Sequence, residues 1–405
     1  MHVCVLGAGI IGLSTAFELT QQGHRVTVVD QGAAASGASG GNGAQLSYDY
    51  VQPMADPGIW AQLPKLMLSP DSALKIRPQW DPAQWAWLLR FLRACNTAQS
   101  HSTTAQLLRL AAQSRAALDD WREQETLNFD FSSSGKLVMF RSATAFDAAR
   151  QQLALQQQLG GSPQHAVSAS EACAIEPALA PRRELFAGGI YTPSECAADC
   201  KKLCEEWVHI LSTRDVQWCM GQRIERLLVR GQQVQAVSLA SGQDIQADAF
   251  VLCTGHTTPG LAAQVGIHLP IYPLKGYSIT VDTDGPGLAP HVSITDSARK
   301  VVFARLGERL RVAGMVELVG HTTQIPPERI NSLLADTRDL FGDCSRFADL
   351  HPWTGMRPAT PTGLPVLGRQ KNGPANLYLN TGHGGLGFTL AAGSAVQVVS
   401  AMHSH

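Results

Sequence analysis

His2-Val3-Cys4-Val5-Leu6-Gly7-Ala8-Gly9-Ile10-Ile11-Gly12-Leu13, running on to Val26-Thr27-Val28-Val29-Asp30, reads as a strand, a glycine turn, a helix and a second strand. Gly7, Gly9 and Gly12 make G-x-G-x-x-G. The first glycine permits the tight turn, the second lets backbone approach a pyrophosphate, and the third lets the helix pack on the strand. The helix N-terminus at Ile10 and Ile11 then faces the phosphate charge. Asp30, with Gln31 behind it, stands about 20 residues beyond the turn, where a carboxylate holds a ribose 2′-hydroxyl. Strand, helix and terminal acid together point to a bound dinucleotide. The plainer alternative is a glycine-punctuated turn in an ordinary α/β protein.

The 405 residues are 44% hydrophobic, enough for more than one core, and two domains are expected. The net charge of −1 and the lack of any Lys/Arg run argue against nucleic acid as a partner. No basic segment precedes the first apolar strand, so it does not read as a signal peptide, and no uninterrupted stretch reads as long enough to span a membrane. Nine cysteines without a secretory signal suggest a reducing compartment in which most are small buried hydrophobes. The expected location is the cytoplasm, or the cytoplasmic face of a membrane.

Beyond the fingerprint, 32–43 is a glycine- and alanine-rich loop, and the stretch from Tyr48 to Pro82 reads as loop-rich. Helical spacing marks 82–93, 104–121, 144–159, 199–212 and 326–341. Strands are expected at 136–140, 216–220, 224–229, 233–239, 251–252, 277–281, 300–304, 310–313 and 376–380. Cys196, Cys200 and Cys204, at i, i+4 and i+8, would share one helix face. Core packing accounts for them better than a metal, because structural metal sites usually join ligands from separate elements. Trp80, Trp85 and Trp87, with Arg90 and Arg93 following, suit either a helix packed over a domain or a helix in a membrane interface.

Asn380-Thr381-Gly382-His383-Gly384-Gly385-Leu386-Gly387-Phe388-Thr389 holds a second formal G-x-G-x-x-G between a strand and a helix. The chain has too few residues after it for the strand and acid of a second nucleotide half-fold. What remains is a helix N-terminus whose glycines allow close approach to a group that is anionic or becoming so.

With Val5 to Asp30, Asn42 to Gly58, Val251 to Gly255, Pro273 to Ser278 and Trp353 to Pro358, this segment resembles the FAD-dependent D-amino acid oxidase and glycine oxidase superfamily. Among its branches the chain looks most like the bacterial D-amino acid dehydrogenase small subunits. The resemblance implies an α/β fold with a Rossmann-type FAD-binding domain (1–46, 160–270 and 350–405). It also implies a second, α+β substrate domain (47–159 and 271–349) built on an antiparallel sheet. FAD would be held noncovalently, because no Cys lies in 353–369, where some covalent relatives attach flavin. The implied reaction is oxidative deamination of D-amino acids to 2-oxo acids and ammonia by hydride transfer to flavin N5. A quinone or other carrier would accept the electrons, with peripheral membrane association or a partner subunit left open. The alternatives are an O2-using glycine, sarcosine or cyclic imino-acid (for example hydroxyproline) oxidase or dehydrogenase, or the flavin subunit of a multi-protein dehydrogenase.

Carried over residue by residue, Arg357 would bind the amino-acid carboxylate through two parallel hydrogen bonds that lysine cannot copy. Tyr277 would either give its hydroxyl to the same carboxylate or be a half-buried sheet tyrosine. Tyr50, rather than Tyr48, would close the pocket. Ser39, Asn42, Gly43, Ala44 and Gln45 would line the pyrophosphate, ribityl chain and flavin edge, unless they form a plain flexible loop. Ile224 would contact adenine, and Thr254 with Gly255 the nucleotide. Gly355, Gly384, Gly385, Leu386, Gly387, Phe388 and Thr389 would surround the flavin ring. No metal is expected.

Overall fold

The computed structural model describes residues 1–60 and 74–403, so the middle of the loop-rich stretch, 61–73, lies outside the described residues. The opening strand β1 (His2–Leu6) lies between β2 (Arg25–Asp30) and Ala249–Leu252, all parallel. Its last four residues are fully buried, as a strand covered on both faces requires. The complete sheet runs Val366–Arg369, Leu377–Thr381, Ala249–Leu252, β1, β2, Gln217–Met220, and only the first of these strands is antiparallel to its neighbour. The helix α1 (Ile10–Gln21) crosses from β1 to β2. Phe17 on α1 meets Trp207 with ring centroids 4.1 Å apart and Trp121 at 5.1 Å, which ties in helices Cys200–Thr213 and Thr97–Gln124. Burial of one such aromatic stabilises by about 4–6 kcal/mol before ordering entropy is counted. On the other face, Leu227, Val237 and Ile245 of a three-stranded meander cover Cys4, Leu6 and Phe250.

The second sheet has nine strands. From its edge it runs Trp353–Ala359, Tyr272–Asp282, Arg309–Leu318, Val301–Leu306, Ser293–Asp296, Lys136–Phe140, Gly188–Thr192, His165–Ser168, with Leu74–Ile76 beside Arg309–Leu318. The antiparallel expectation holds for most pairings. Ser293–Asp296 with Lys136–Phe140, and Leu74–Ile76 with Arg309–Leu318, are parallel.

Several expectations are corrected. Cys196 lies in the short strand Cys196–Ala197, and only Cys200 and Cys204 share the buried face of Cys200–Thr213. Arg357 stands on a strand, Trp353–Ala359, that is absent from the strands expected; Pro358 is tolerated because this strand is at the sheet edge. Helix Thr97–Gln124 joins the core of the first sheet through Leu107, Ala111 and Leu118, and strands His165–Ser168 and Gly188–Thr192 pair in the second sheet. The chain therefore crosses between the sheets at other points than 47 and 160. One stretch, Gly384–His403, is apolar and long enough to cross a membrane, contrary to expectation; 61% of its apolar window is buried, as in a core helix. Helix Pro82–Ala94 packs over the second sheet with Gln84, Trp87 and Phe91 buried, leaving Trp85 and Leu89 exposed.

Candidate active site

One cavity of about 1320 Å³ lies between the two sheets, from Ile224 at one end to Arg357 at the other. Gly7, Gly9, Ile10, Ile11, Asp30, Gln31, Ser39, Thr254 and Gly255 line its nucleotide half. Gly12 is not on the wall; a side chain there would collide with the Gly7 carbonyl, which is the helix-on-strand contact its spacing predicts. Gly7 takes φ +115°, and a Cβ on it would sit 2.6 Å from the Cys253 oxygen. The Ile10 N–H donates to Ser39 Oγ at 3.0 Å, so the Ser39 hydroxyl keeps its proton for another acceptor. Asp30 accepts from Ala8 N at 2.7 Å and Gly32 N at 2.8 Å, which fixes the carboxylate and leaves each oxygen a further lone pair. The Asp30 carbonyl accepts from Gln222 N at 2.9 Å and so brings Ile224 beside it.

In the middle of the cavity the loop carrying Asn42 and Gly43 is laid on the second sheet. Ser278 donates to the Gly41 carbonyl at 2.7 Å and Arg311 to the Asn42 carbonyl at 2.8 Å. A Cβ on Gly43 would be 3.1 Å from Val302, and one on Gly41 or Gly355 would strike the Trp353 indole. Asn42 Oδ1 accepts from Ala44 N at 3.0 Å, holding Ala44 at φ 56°. Gln45 donates to Ser293 at 2.6 Å, while Thr389 accepts from Ser47 N at 3.0 Å. Across from this loop, Gly384, Gly385 and Leu386 form a tight turn leading into helix Gly387–His403, and Phe388 is buried behind it.

His383 adjoins that turn, 2% exposed, with neither ring nitrogen hydrogen-bonded. Burial pushes its pKa down to about 3, so the ring is neutral. A glycine-lined cradle, a helix N-terminus and unpartnered buried imidazole nitrogens fit the isoalloxazine end of FAD, as Asp30, Gly7 and Gly9 fit its nucleotide end.

The far half belongs to Arg357. Its Nη1 donates to the Met315 carbonyl at 2.9 Å, and no carboxylate pairs with it among the described residues. Burial pulls its pKa down to about 10, which still leaves it cationic at neutral pH. Space for the guanidinium comes from glycine: a Cβ on Gly276 would lie 2.5 Å from Arg357 Cζ, and one on Gly385 would lie 3.8 Å from Cδ. The strand Arg309–Leu318 bulges beside it, where Met315 takes φ 64° and its carbonyl meets the guanidinium. Asp30 and Glu225, both at the nucleotide end, are the acidic residues among those lining the cavity. A cation so placed, desolvated and without a counter-ion, is a site for an anion.

Tyr277 does not serve that anion. Gly276 faces Arg357, so the next residue faces away, and the Tyr277 hydroxyl donates to Glu317 Oε2 at 2.6 Å, with Glu317 ion-paired to Arg329. The sheet-tyrosine reading is the one that fits. Tyr50 lines the cavity, whereas Tyr48 is buried in the first core.

Sequence reading missed Lys136 and Glu195. Lys136, 3% exposed and on the cavity wall, donates to Gln45 Oε1 at 3.0 Å and Ser47 Oγ at 2.8 Å, with its ammonium 4.3 Å from the Tyr50 ring centroid. Glu195 accepts the backbone N–H groups of Tyr48, Asp49 and Tyr50 at 2.6, 2.8 and 3.2 Å. Burial lowers the lysine pKa and raises the glutamate pKa, and each one's charge opposes the other's shift. No motif marks either residue, but a lysine opening a strand of otherwise apolar residues was a signal available in the sequence.

The model of the FAD dependent oxidoreductase family matches residues 2–401. The chain is 46% identical to D-amino acid dehydrogenase 2 of Ralstonia nicotianae, over 98% of this chain and 95% of that one. It is 44% identical to the protein of the same name from Pseudomonas aeruginosa, over 97% and 92%. Glycine oxidase from Geobacillus kaustophilus superposes with a TM-score of 0.76 at 20% identity, covering 98% of this chain and 93% of that one, a likeness of fold. The sheet order, the glycine cradle and these matches agree: the chain belongs to the FAD dependent oxidoreductase family.

Proposed function

We propose that the protein oxidises D-amino acids to 2-oxo acids and ammonia as a dehydrogenase. The observation that carries this reading is Arg357, a half-buried guanidinium lining the cavity, with no counter-ion among the described residues, at the end of a cavity otherwise suited to FAD. FAD, held noncovalently, supplies the two-electron acceptor. Arg357 grips the substrate carboxylate with the donors that Met315 leaves unused, and Gly276 and Gly385 keep its fork in place. Among the described residues no carboxylate side chain lines this half of the cavity, and the substrate reacts as its neutral amine without a strong protein base. Tyr50 and Met54 close the cavity on the side of the loop-rich segment. Electrons leave to a quinone or another carrier. The exposed Trp85 and Leu89, with Arg90 and Arg93 on the same helix, suit docking at a membrane surface on the cytoplasmic side.

The test is a panel of D- and L-amino acids with an artificial electron acceptor under nitrogen, set against peroxide release in air. Dye reduction with D-amino acids and little peroxide is the expected outcome. Turnover confined to glycine, sarcosine or L-substrates would overturn the reading, and peroxide formation at the dye-coupled rate would make it an oxidase.

A further inference from the structure

The wall next to Arg357 is apolar and aromatic over a continuous area. Leu274 is the cross-strand partner of Arg357 and so stands on the same face of the sheet, and Ala359 follows Arg357 on that face. Trp87 reaches down from helix Pro82–Ala94 and donates its indole N–H to the Ala359 carbonyl at 2.8 Å. Phe91, one turn on, stacks on Trp87 with centroids 5.1 Å apart and planes 8° from parallel. Leu274, Ala359, Trp87 and Phe91 belong to one buried cluster and all but the backbone-bonded indole nitrogen is carbon surface; each lines the cavity.

Resting on the reading of Arg357 as the carboxylate anchor, we propose that this wall is the subsite for the substrate side chain and selects unbranched or aromatic apolar D-amino acids. Among the described residues a side-chain ammonium placed there meets no acid, since Asp30 and Glu225 stand at the nucleotide end. A side-chain carboxylate finds no free side-chain donor on the four residues of this wall, since the Trp87 N–H is already spent on Ala359. Either charge would be desolvated without a partner, a heavier penalty than apolar contact can offset. Trp87 is the specificity-determining residue, because its indole both lines the cavity and, through the Ala359 carbonyl, fixes the strand carrying Arg357.

Isosteric pairs test this in the FAD-loaded protein. D-Norleucine should exceed D-lysine, and D-methionine should exceed D-glutamate, by about 100-fold or more in kcat/KM. Trp87→Ala should shrink the D-norleucine to D-alanine ratio about 10-fold, as loss of one buried apolar contact implies, and Trp87→Phe should restore most of it. D-Lysine or D-glutamate within threefold of its isostere would overturn the subsite. Binding separates this claim from the proposed reaction: hexanoate should displace a bound substrate or perturb flavin absorbance at concentrations well below 6-aminohexanoate or glutarate. If hexanoate wins but no D-amino acid is oxidised, the subsite stands and the reaction falls; equal binding of the three acids overturns the subsite.

Discussion

An imidazole with both nitrogens buried and unpartnered is tolerated by the fold only while it is neutral. His383 is in that position, with a folded pKa of about 3 against an ordinary 6.5. The folded state therefore keeps its full stability above about pH 6.5 and loses it as pH falls through 6.5 toward 3, because the unfolded chain takes up the proton first. Between pH 7.5 and pH 5 the loss is about 2 kcal/mol. Urea unfolding of the FAD-free protein at the two pH values should show this loss in the wild type and a correspondingly smaller one in His383→Leu. His256, also pushed down by burial, contributes equally to both proteins and cancels. An equal pH sensitivity in the two would mean His383 is not the titrating group. Residues such as Gly7, Gly12 and Asp30 were legible in the sequence because fixed spacing carries its own steric reason. Lys136 and Glu195 were not, since they come near one another only through the antiparallel pairing of Lys136–Phe140 with Gly188–Thr192 and a loop folded onto Glu195.

Arg357 was legible as a residue, but its element was not. Gly355 and Pro358 around it read as loop punctuation, and only the sheet-edge position, where a missing N–H costs nothing, allows a strand. Register decides more: Gly276 faces the guanidinium and Tyr277 faces away, a distinction set by the pairing of Leu274 with Arg357 that no local pattern announces. Gly276→Ala tests this pairing of strands. The new methyl would occupy the place of the guanidinium, which can swing aside at little cost to the fold. FAD content and unfolding midpoint should stay near wild type while kcat/KM for D-amino acids falls about 100-fold, the scale of a misplacement near 1 Å. A variant with unchanged kcat/KM would show that Arg357 does not need the space above Gly276.

At the level of the entire chain, the site exists because two sheets with separate cores face one another across the cavity, and the loop from Ser39 to Gln45 is bonded to both. The sequence pattern revealed the first sheet through its fingerprint, whereas the second, antiparallel sheet was expected from the family resemblance. It misassigned helix Thr97–Gln124 and strands His165–Ser168 and Gly188–Thr192, because amphipathic spacing says that a face is buried without saying against which core. Recognition of an amino-acid carboxylate by one guanidinium, unpaired among the described residues, at the end of this cavity can be measured directly. In Arg357→Ala, with FAD occupancy confirmed, kcat/KM for D-amino acids should fall roughly 30- to 4,000-fold, the cost of removing one partner from a buried charged pair. Arg357→Lys should recover little of it, because charge returns without the fork. The loss should nearly vanish on the matching amine that lacks a carboxylate, if either protein turns it over. An Arg357→Ala protein that oxidises D-amino acids within threefold of wild type would contradict the account.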